Sequence, residues 1–131
     1  MNKLTCALCI SITLSSQVMA DVTLDLVGDW QITALDSAAA LPDVEAIMSF
    51  SEDGQFSAMV GCNRAAGSYK LDETGLSFGP LAATRMMCPD EIMAQEDAFF
   101  RLMDRSADYR VEGEVVEILD DQGNTLVSGK R

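Results

Sequence analysis

Two cysteines set the strongest limit on how this chain can fold. Cys62 and Cys88 bound the segment CNRAAGSYKLDETGLSFGPLAATRMMC and are the only cysteines that follow the N-terminal twenty residues. In an exported protein such a pair predicts a disulfide, and closing a loop of roughly 27 residues contributes about 3.5 kcal/mol to stability. The bridge would join the third predicted strand to the start of the predicted helix. The alternative is a catalytic thiol, which is disfavoured because the chain has no histidine to activate it.

The N-terminal segment indicates export. Lys3 precedes an uncharged apolar core at 4–14, which is followed by polar residues at 15–17 and a small-residue ending at 18–20. This is the layout of a secretory signal, and its core is too short to cross a bilayer of ~30 Å as a stable helix. We therefore expect residues 1–20 to be cleaved, and residues 21–131 to form one domain that is periplasmic or secreted.

Two further cysteines, Cys6 and Cys9, form a C-x-x-C inside this apolar core. Small and apolar residues of every kind are common in signal cores, and no fold context for a redox or zinc site adjoins the motif. Neither cysteine follows the core, where a lipid-attachment cysteine would stand. We predict no membrane anchor after signal cleavage.

The charge of the mature chain excludes whole classes of partner. Removing residues 1–20 takes one lysine away and leaves 8 basic and 21 acidic side chains, a net charge of −13. Such a charge opposes binding to nucleic acid or to an anionic membrane surface. The acidic residues occur in ones and twos, which is typical of solvated loops and strand faces.

The chain contains no histidine at all. This removes Ser-His and Cys-His nucleophile pairs and the usual zinc ligand. The segment LDDQGN at 119–124 lacks the alternating oxygen ligands of an EF-hand loop, so it does not predict a calcium site. We predict no metal and no cofactor.

Hydrophobic periodicity predicts seven or eight strands and one helix. Loose alternation at 28–35 predicts the first strand, and Asp53-Gly54 predicts a hairpin between the next two. NRAAG at 63–67 predicts a turn. Pro89 followed by two acids predicts a helix that runs through Ser106. Three short β segments are predicted at 108–112, 114–119 and 124–128. The order indicates an α+β fold, a mainly antiparallel curled sheet or partly open β-barrel with one packed α-helix.

Glu96 lies within the apolar stripe of the predicted helix, beside Ile92, Phe99 and Met103. An unpaired buried charge costs several kcal/mol, so the carboxylate should have partners. We expect structural bonds to Arg85 or to backbone amides near Cys62. The alternative is that Glu96 lines a ligand pocket.

Six methionines follow the signal, and four of them cluster at 86–103. Methionine fills irregular gaps in cores, and it also lines promiscuous binding surfaces and copper(I) sites. We expect core filling. The six are Met48, Met59, Met86, Met87, Met93 and Met103.

Three segments resemble the META domain, a family that includes the bacterial heat-inducible protein HslJ. They are GCNRAAGSY at 61–69, LSFGPLAATRMMC at 76–88 and QEDAFF at 95–100, and the resemblance covers residues 26–128. It implies a small α+β domain with strands wrapped into a partly open barrel beside one helix. Family members are linked to heat shock, antibiotic tolerance and virulence, and no enzymatic activity is established for them.

The motif positions are expected to be structural. Gly67 suits a turn with positive φ, Asn63 would cap its own turn, and Tyr69 would bury its ring with its hydroxyl bonded. Thr84 and Arg85 would bond backbone carbonyls or Glu96. The full set, with the two cysteines, is Gly61, Cys62, Asn63, Gly67, Tyr69, Thr84, Arg85, Met86 and Cys88.

We therefore expect a monomeric, non-enzymatic envelope protein that supports stress or antibiotic tolerance by binding an unknown protein or a hydrophobic ligand. One alternative is a periplasmic inhibitor of a protease or lysozyme, which would present the loop at 36–43. Another is a small hydrolase that uses Glu96 and a second carboxylate, which needs two carboxylates within roughly 5 to 10 Å in a cleft.

Overall fold

The computed structural model describes residues 25–131, and the predicted signal peptide at 1–20 lies outside the described residues. The described chain contains ten strands and one helix. In chain order they are β1 (Gly28–Leu35), β2 (Ala38–Ala39), β3 (Ile47–Phe50), β4 (Gln55–Met59), β5 (Arg64–Asp72), β6 (Gly75–Phe78), β7 (Ala82–Ala83), α1 (Asp90–Met103), β8 (Asp108–Glu112), β9 (Val115–Leu119) and β10 (Thr125–Lys130).

The strands form one curled antiparallel sheet in the order β6-β5-β4-β3-β1-β10-β9-β8, with β2 added to β1 and β7 added to β5. The two ends of the sheet approach each other at one point, where the Leu76 amide donates to the Ala107 carbonyl at 2.9 Å. No ladder joins β6 to β8 in the described chain, so the sheet stays open. This confirms the predicted α+β class with a curled, mainly antiparallel sheet.

The core fills the inside of the curl. Alternate residues of each strand point inward, as the period of two requires, and the helix contributes Phe99, Leu102 and Met103 to the same core. Trp30 is fully buried, and its indole N–H donates to the Leu26 carbonyl at 2.8 Å. An aromatic cluster of Phe50, Phe56, Tyr69 and Phe78 lies towards the β6 edge, with ring centroids 4.8 to 6.1 Å apart.

The predicted turn at 63–67 is wrong, because Arg64 begins the nine-residue strand β5. This strand pairs with β4 from Arg64 opposite Met59 to Ser68 opposite Gln55. Gly67 lies inside the ladder and does not have a positive φ. A Cβ there would lie 2.7 Å from a Leu81 side-chain carbon and 2.8 Å from the Pro80 carbonyl oxygen. Glycine is needed at this position for close approach of the 79–81 backbone and not for a turn.

The strand count and the helix end also differ from the predictions. The segment at 36–43, predicted as a loop, contains β2, and the chain resumes pairing with β5 as β7 after Gly79-Pro80. The helix ends at Met103 and not at Ser106. The amides of Arg105 and Ser106 bond to carbonyls three residues back, at 3.0 and 3.1 Å, which is the pattern of a turn.

A Cys62–Cys88 disulfide is present, as predicted, with Cα atoms 6.4 Å apart. It joins the residues between β4 and β5 to the residue two positions before α1. The bridge therefore ties the segment before the helix to the connection between β4 and β5, near the β6 end of the sheet.

We predict that replacing both cysteines by alanine (Cys62→Ala/Cys88→Ala) lowers the free energy of unfolding by about 3.5 kcal/mol, because the 26-residue separation is no longer closed in the unfolded chain. Urea unfolding of the oxidised protein and of the variant measures the difference. The reduced wild-type protein is the control and should match the variant. A loss below about 1 kcal/mol in both would contradict the entropic role.

Candidate functional site

The carboxylate of Glu96 lies at the centre of a polar network behind the disulfide. Its Oε1 accepts hydrogen bonds from the amides of Cys62 at 2.8 Å and Asn63 at 2.7 Å, and its Oε2 accepts one from Asn63 Nδ2 at 2.9 Å. The residue is only 5% exposed. Arg85 and the backbone amides near Cys62 were the two expected partners of this acid, and the amides are the ones bonded to it.

Asn63 extends this network to the segment before the helix. Its Oδ1 accepts from the Met86 amide at 2.7 Å and from the Thr84 hydroxyl at 3.0 Å. The Thr84 hydroxyl in turn accepts from the Arg64 amide at 3.0 Å. Asn63 therefore does not cap its own turn, as expected from the sequence, and instead joins segments more than 20 residues apart. We call Glu96, Asn63 and Thr84, with the backbone groups they bond, the Glu96 network.

Other motif residues lie outside this network. Arg85 is exposed and has no bond to Glu96. Tyr69 packs its half-buried ring edge-on against Phe50, and its hydroxyl donates to the Ser51 carbonyl. Gly61 has φ 138° and lies under the helix, where a Cβ would come within 2.5 Å of the Ile92 side chain.

Sequence reasoning missed one residue, Gln95. Its side chain is 8% exposed, donates to the Val60 carbonyl at 3.1 Å and accepts from the Leu41 amide at 2.7 Å. The only signal was a second polar residue beside Glu96 in an apolar stripe. Gln95 thereby fixes the segment at 36–43, the candidate inhibitory loop, against the helix.

Two opposing effects set the pKa of Glu96. Burial alone would raise the pKa, but the bonds from the Asn63 side chain, the Asn63 amide and the Cys62 amide together hold it below its ordinary value of 4.5. The group is therefore ionised at neutral pH, and both of its oxygens are occupied.

A groove lies beside this network, between α1 and the segment at 77–87, and encloses about 740 Å³. We call it the α1 groove. Its apolar lining includes Phe78, Leu81, Met86, Met87, Met93 and Phe100. Glu96 and Asn63 reach its inner end, so the network holds one wall of the groove in place.

The six methionines divide into three groups by burial, of which Met59 and Met93 form the half-buried one. Met48 and Met103 are buried, as core filling predicts. Met86 is 55% exposed and Met87 is 93% exposed, so core filling is wrong for these two. The Met86 amide donates to Asn63 Oδ1, and this bond holds the Met86 backbone at the surface.

The atoms of Cys62, Cys88 and Glu96 that bind metals in other proteins lie within 4.8 Å of one another. Here the two sulfurs are bonded to each other, and the carboxylate oxygens accept three hydrogen bonds. The group has no free ligand atom to offer while the disulfide is intact. In residues 25–131, no helix has the length and apolar character needed to cross a membrane.

Comparison with known protein families identifies the family of this chain. The model of the META domain family matches residues 22–131. The chain belongs to the META domain family. The resemblance first carried by residues 61–69 and 76–88 is thereby confirmed, and it extends over nearly the whole chain that follows the predicted signal.

Solved structures share the META fold of this chain. An NMR structure of a protein from Burkholderia xenovorans is 27% identical, covers 83% of this chain and 85% of its own, and has a TM-score of 0.63. A second NMR structure is 19% identical, covers 80% and 89%, and also has a TM-score of 0.63. A DUF4847 family protein from Bacteroides vulgatus is 11% identical, covers 82% and 94%, and has a TM-score of 0.58. The last two show the fold alone. No curated protein matches the chain.

We predict that Glu96→Gln destabilises the protein by about 1 to 3 kcal/mol at pH 7. The new side-chain NH₂ group replaces the oxygen that accepts from Asn63 Nδ2, so two donors face each other. Asn63 cannot flip to relieve this, since its Oδ1 is held by Met86 and Thr84. The folded pKa of Glu96 is below 4.5, so its stabilisation is present above that pH and is lost as pH falls through the folded value.

Urea unfolding of both proteins at pH 7 and pH 3 tests this, and the difference in stability should shrink at pH 3. Asp97→Asn, an exposed acid on the same helix, is the control and should cost less than about 0.5 kcal/mol. A difference that stayed constant or grew on acidification would show that the ionised carboxylate is not what the network needs.

Proposed function

We propose that this META domain protein is an exported, non-enzymatic protein of the cell envelope that binds a hydrophobic ligand in the α1 groove, and that it supports stress or antibiotic tolerance through this binding. The observation that carries the proposal is the groove itself. Its volume of about 740 Å³ falls within the range of small-molecule sites, roughly 300 to 1,000 Å³. Its lining combines apolar side chains, among them four methionines and two phenylalanines, with eight polar or charged residues.

The exposed side chains of the chain support this location. The large apolar side chains that are exposed in residues 25–131 are Met86, Met87 and Val115, and two of the three lie on the α1 groove. Exposed apolar groups gathered at a concave site favour a ligand that covers them. Methionine is well suited to the task because its unbranched side chain adapts to different shapes.

The chemistry of the acids argues against catalysis. A hydrolase that uses two carboxylates needs one acid with a raised pKa to protonate the leaving group. The pKa of Glu96 is lowered, and its oxygens already accept three hydrogen bonds. With no histidine in the chain, the commonest general base is missing, and the other two carboxylates of the groove, Asp97 and Asp104, are exposed to water.

The envelope assignment depends on the sequence at 1–20 and on the disulfide, which is compatible with an oxidising compartment outside the cytoplasm. An inhibitory role for the segment at 36–43 has less support. Its Leu41 amide is bonded to Gln95, and its Ala40 amide is bonded to Thr33, so this segment is held against the body of the protein.

We predict that the wild-type protein binds the neutral apolar dye Nile red, and that Met86→Gln/Met87→Gln weakens this binding about fivefold to tenfold, because two apolar contacts worth roughly 1 kcal/mol together are lost. Fluorescence titration of the mature protein measures both affinities. The variant should keep its stability within about 0.5 kcal/mol, since both side chains are exposed.

Val115→Gln is the matched control, because it removes the third exposed apolar side chain at a position that does not line the groove. It should bind Nile red as tightly as the wild-type protein. Equal weakening by the control, or no binding by the wild type, would contradict ligand binding in the α1 groove.

We predict that the protein expressed with its full sequence in a bacterium is recovered from the envelope fraction with Asp21 as its first residue. Intact-mass measurement of the purified protein identifies the start. Recovery from the cytoplasm with residues 1–20 still attached would contradict export and leave the groove assignment standing.

A further inference from the structure

We propose that the ligand of the α1 groove is a cationic amphiphile, a small molecule with an apolar body and a basic head group. The inference rests on the proposed function and adds the chemical class of the ligand. It follows from the charges at the rim of the groove and from the kind of apolar groups inside it.

Two carboxylates line the groove on the helix side. Asp97 and Asp104 are seven residues apart on α1 and the residue that follows it, which places them on one face and about 10 Å apart along the axis. Both are exposed, and neither side chain has an ion pair or a hydrogen bond among residues 25–131. Their charge is therefore free to interact with a ligand.

The third acid, Glu96, does not take part. Its carboxylate is 5% exposed and is satisfied by the amides of Cys62 and Asn63 and by the Asn63 side chain. A cation in the groove therefore meets Asp97 and Asp104, whose carboxylates stay hydrated until a ligand arrives. This separates the acid that fixes the wall from the acids that face the ligand.

The groove contains one basic residue, Arg85, on the wall opposite the helix. Its guanidinium is exposed and has no ion pair in the described chain. It would repel a cation and attract an anion. The two carboxylates outweigh it, and the net charge of −13 after removal of residues 1–20 adds a longer-range attraction for cations.

The apolar lining also favours a cation. Phe78 and Phe100 contribute aromatic rings, and ring faces attract ammonium groups. Met86, Met87 and Met93 contribute polarisable thioethers that pack against apolar chains of varied shape. A basic head group near the helix rim with an apolar body along these side chains would satisfy both features.

Three probes with the same twelve-carbon chain test the charge: dodecyltrimethylammonium, dodecyl maltoside and dodecyl sulfate. Each is titrated into mature protein with labelled methionine methyl groups, below the micelle concentration and where the signals of the buried Met48 stay unchanged. NMR shifts of the Met86, Met87 and Met93 methyl groups report binding at the groove. We expect the cationic probe to bind about tenfold more tightly than the neutral probe, and the anionic probe to bind most weakly.

Charge variants give effects of opposite sign. Asp97→Asn/Asp104→Asn should weaken binding of the cationic probe about tenfold and leave binding of the neutral probe unchanged. Arg85→Gln should strengthen binding of the cationic probe severalfold and weaken binding of the anionic probe. Glu112→Gln/Asp121→Asn removes two exposed acids that do not line the groove, and this control should change no probe by more than about twofold.

The outcomes separate the two proposals. If the neutral probe binds and the cationic probe shows no preference, or if the anionic probe binds best, the cationic class is overturned and ligand binding stands. If no probe moves the methionine signals, both are overturned. If the control variant weakens binding of the cationic probe as much as Asp97→Asn/Asp104→Asn does, the preference for a cation arises from net charge alone. The assignment of the cation site to the α1 groove then fails.

Discussion

The carboxylate of Glu96 is the interaction on which the rest of this structure depends. It accepts N–H groups from two consecutive residues between β4 and β5, and the side chain of one of them, Asn63, then fixes the backbone at Met86. The disulfide joins the same regions covalently. A buried carboxylate is stable here because every bond it accepts opposes the cost of its burial. Removing any donor leaves a charge that the core cannot hydrate.

The sequence predicted the elements whose signal is local and failed where the cause is a distant contact. The strand at 28–35, the Asp53-Gly54 hairpin and the disulfide follow from short patterns, and the structure confirms them. The glycine at position 67 predicts a turn, because the sequence shows only that the Cβ is absent and does not show which neighbours require its absence. Its reason is the Pro80 carbonyl and the Leu81 side chain, which lie over it from more than ten residues away. The partners of Asn63 are equally distant, so its role could not be predicted from its neighbours.

The candidate site was predictable in part. The position of Glu96 within an apolar stripe marked it as a partnered acid, and amides near Cys62 were among the partners considered. The groove was not predictable, because a cluster of methionines has the same composition whether it fills a core or lines a surface. The Met86 amide donates to Asn63 Oδ1, which holds the backbone of Met86 at the surface, where Met86 and its neighbour Met87 are exposed. That bond forms only where α1, the residues between β4 and β5, and the segment before α1 lie together.

The groove combines a fixed backbone with adaptable side chains, and this combination limits the kind of selectivity it can have. The Met86 backbone is held by the Glu96 network, so this part of the wall does not move freely. Unbranched thioethers on that wall can follow many apolar shapes at little cost, so shape discriminates weakly between ligands. Discrimination must then come from the charged rim, where Asp97 and Asp104 stand opposite Arg85. If the groove binds the proposed ligand, a site built in this way would select a class of charge and tolerate variety in the apolar body.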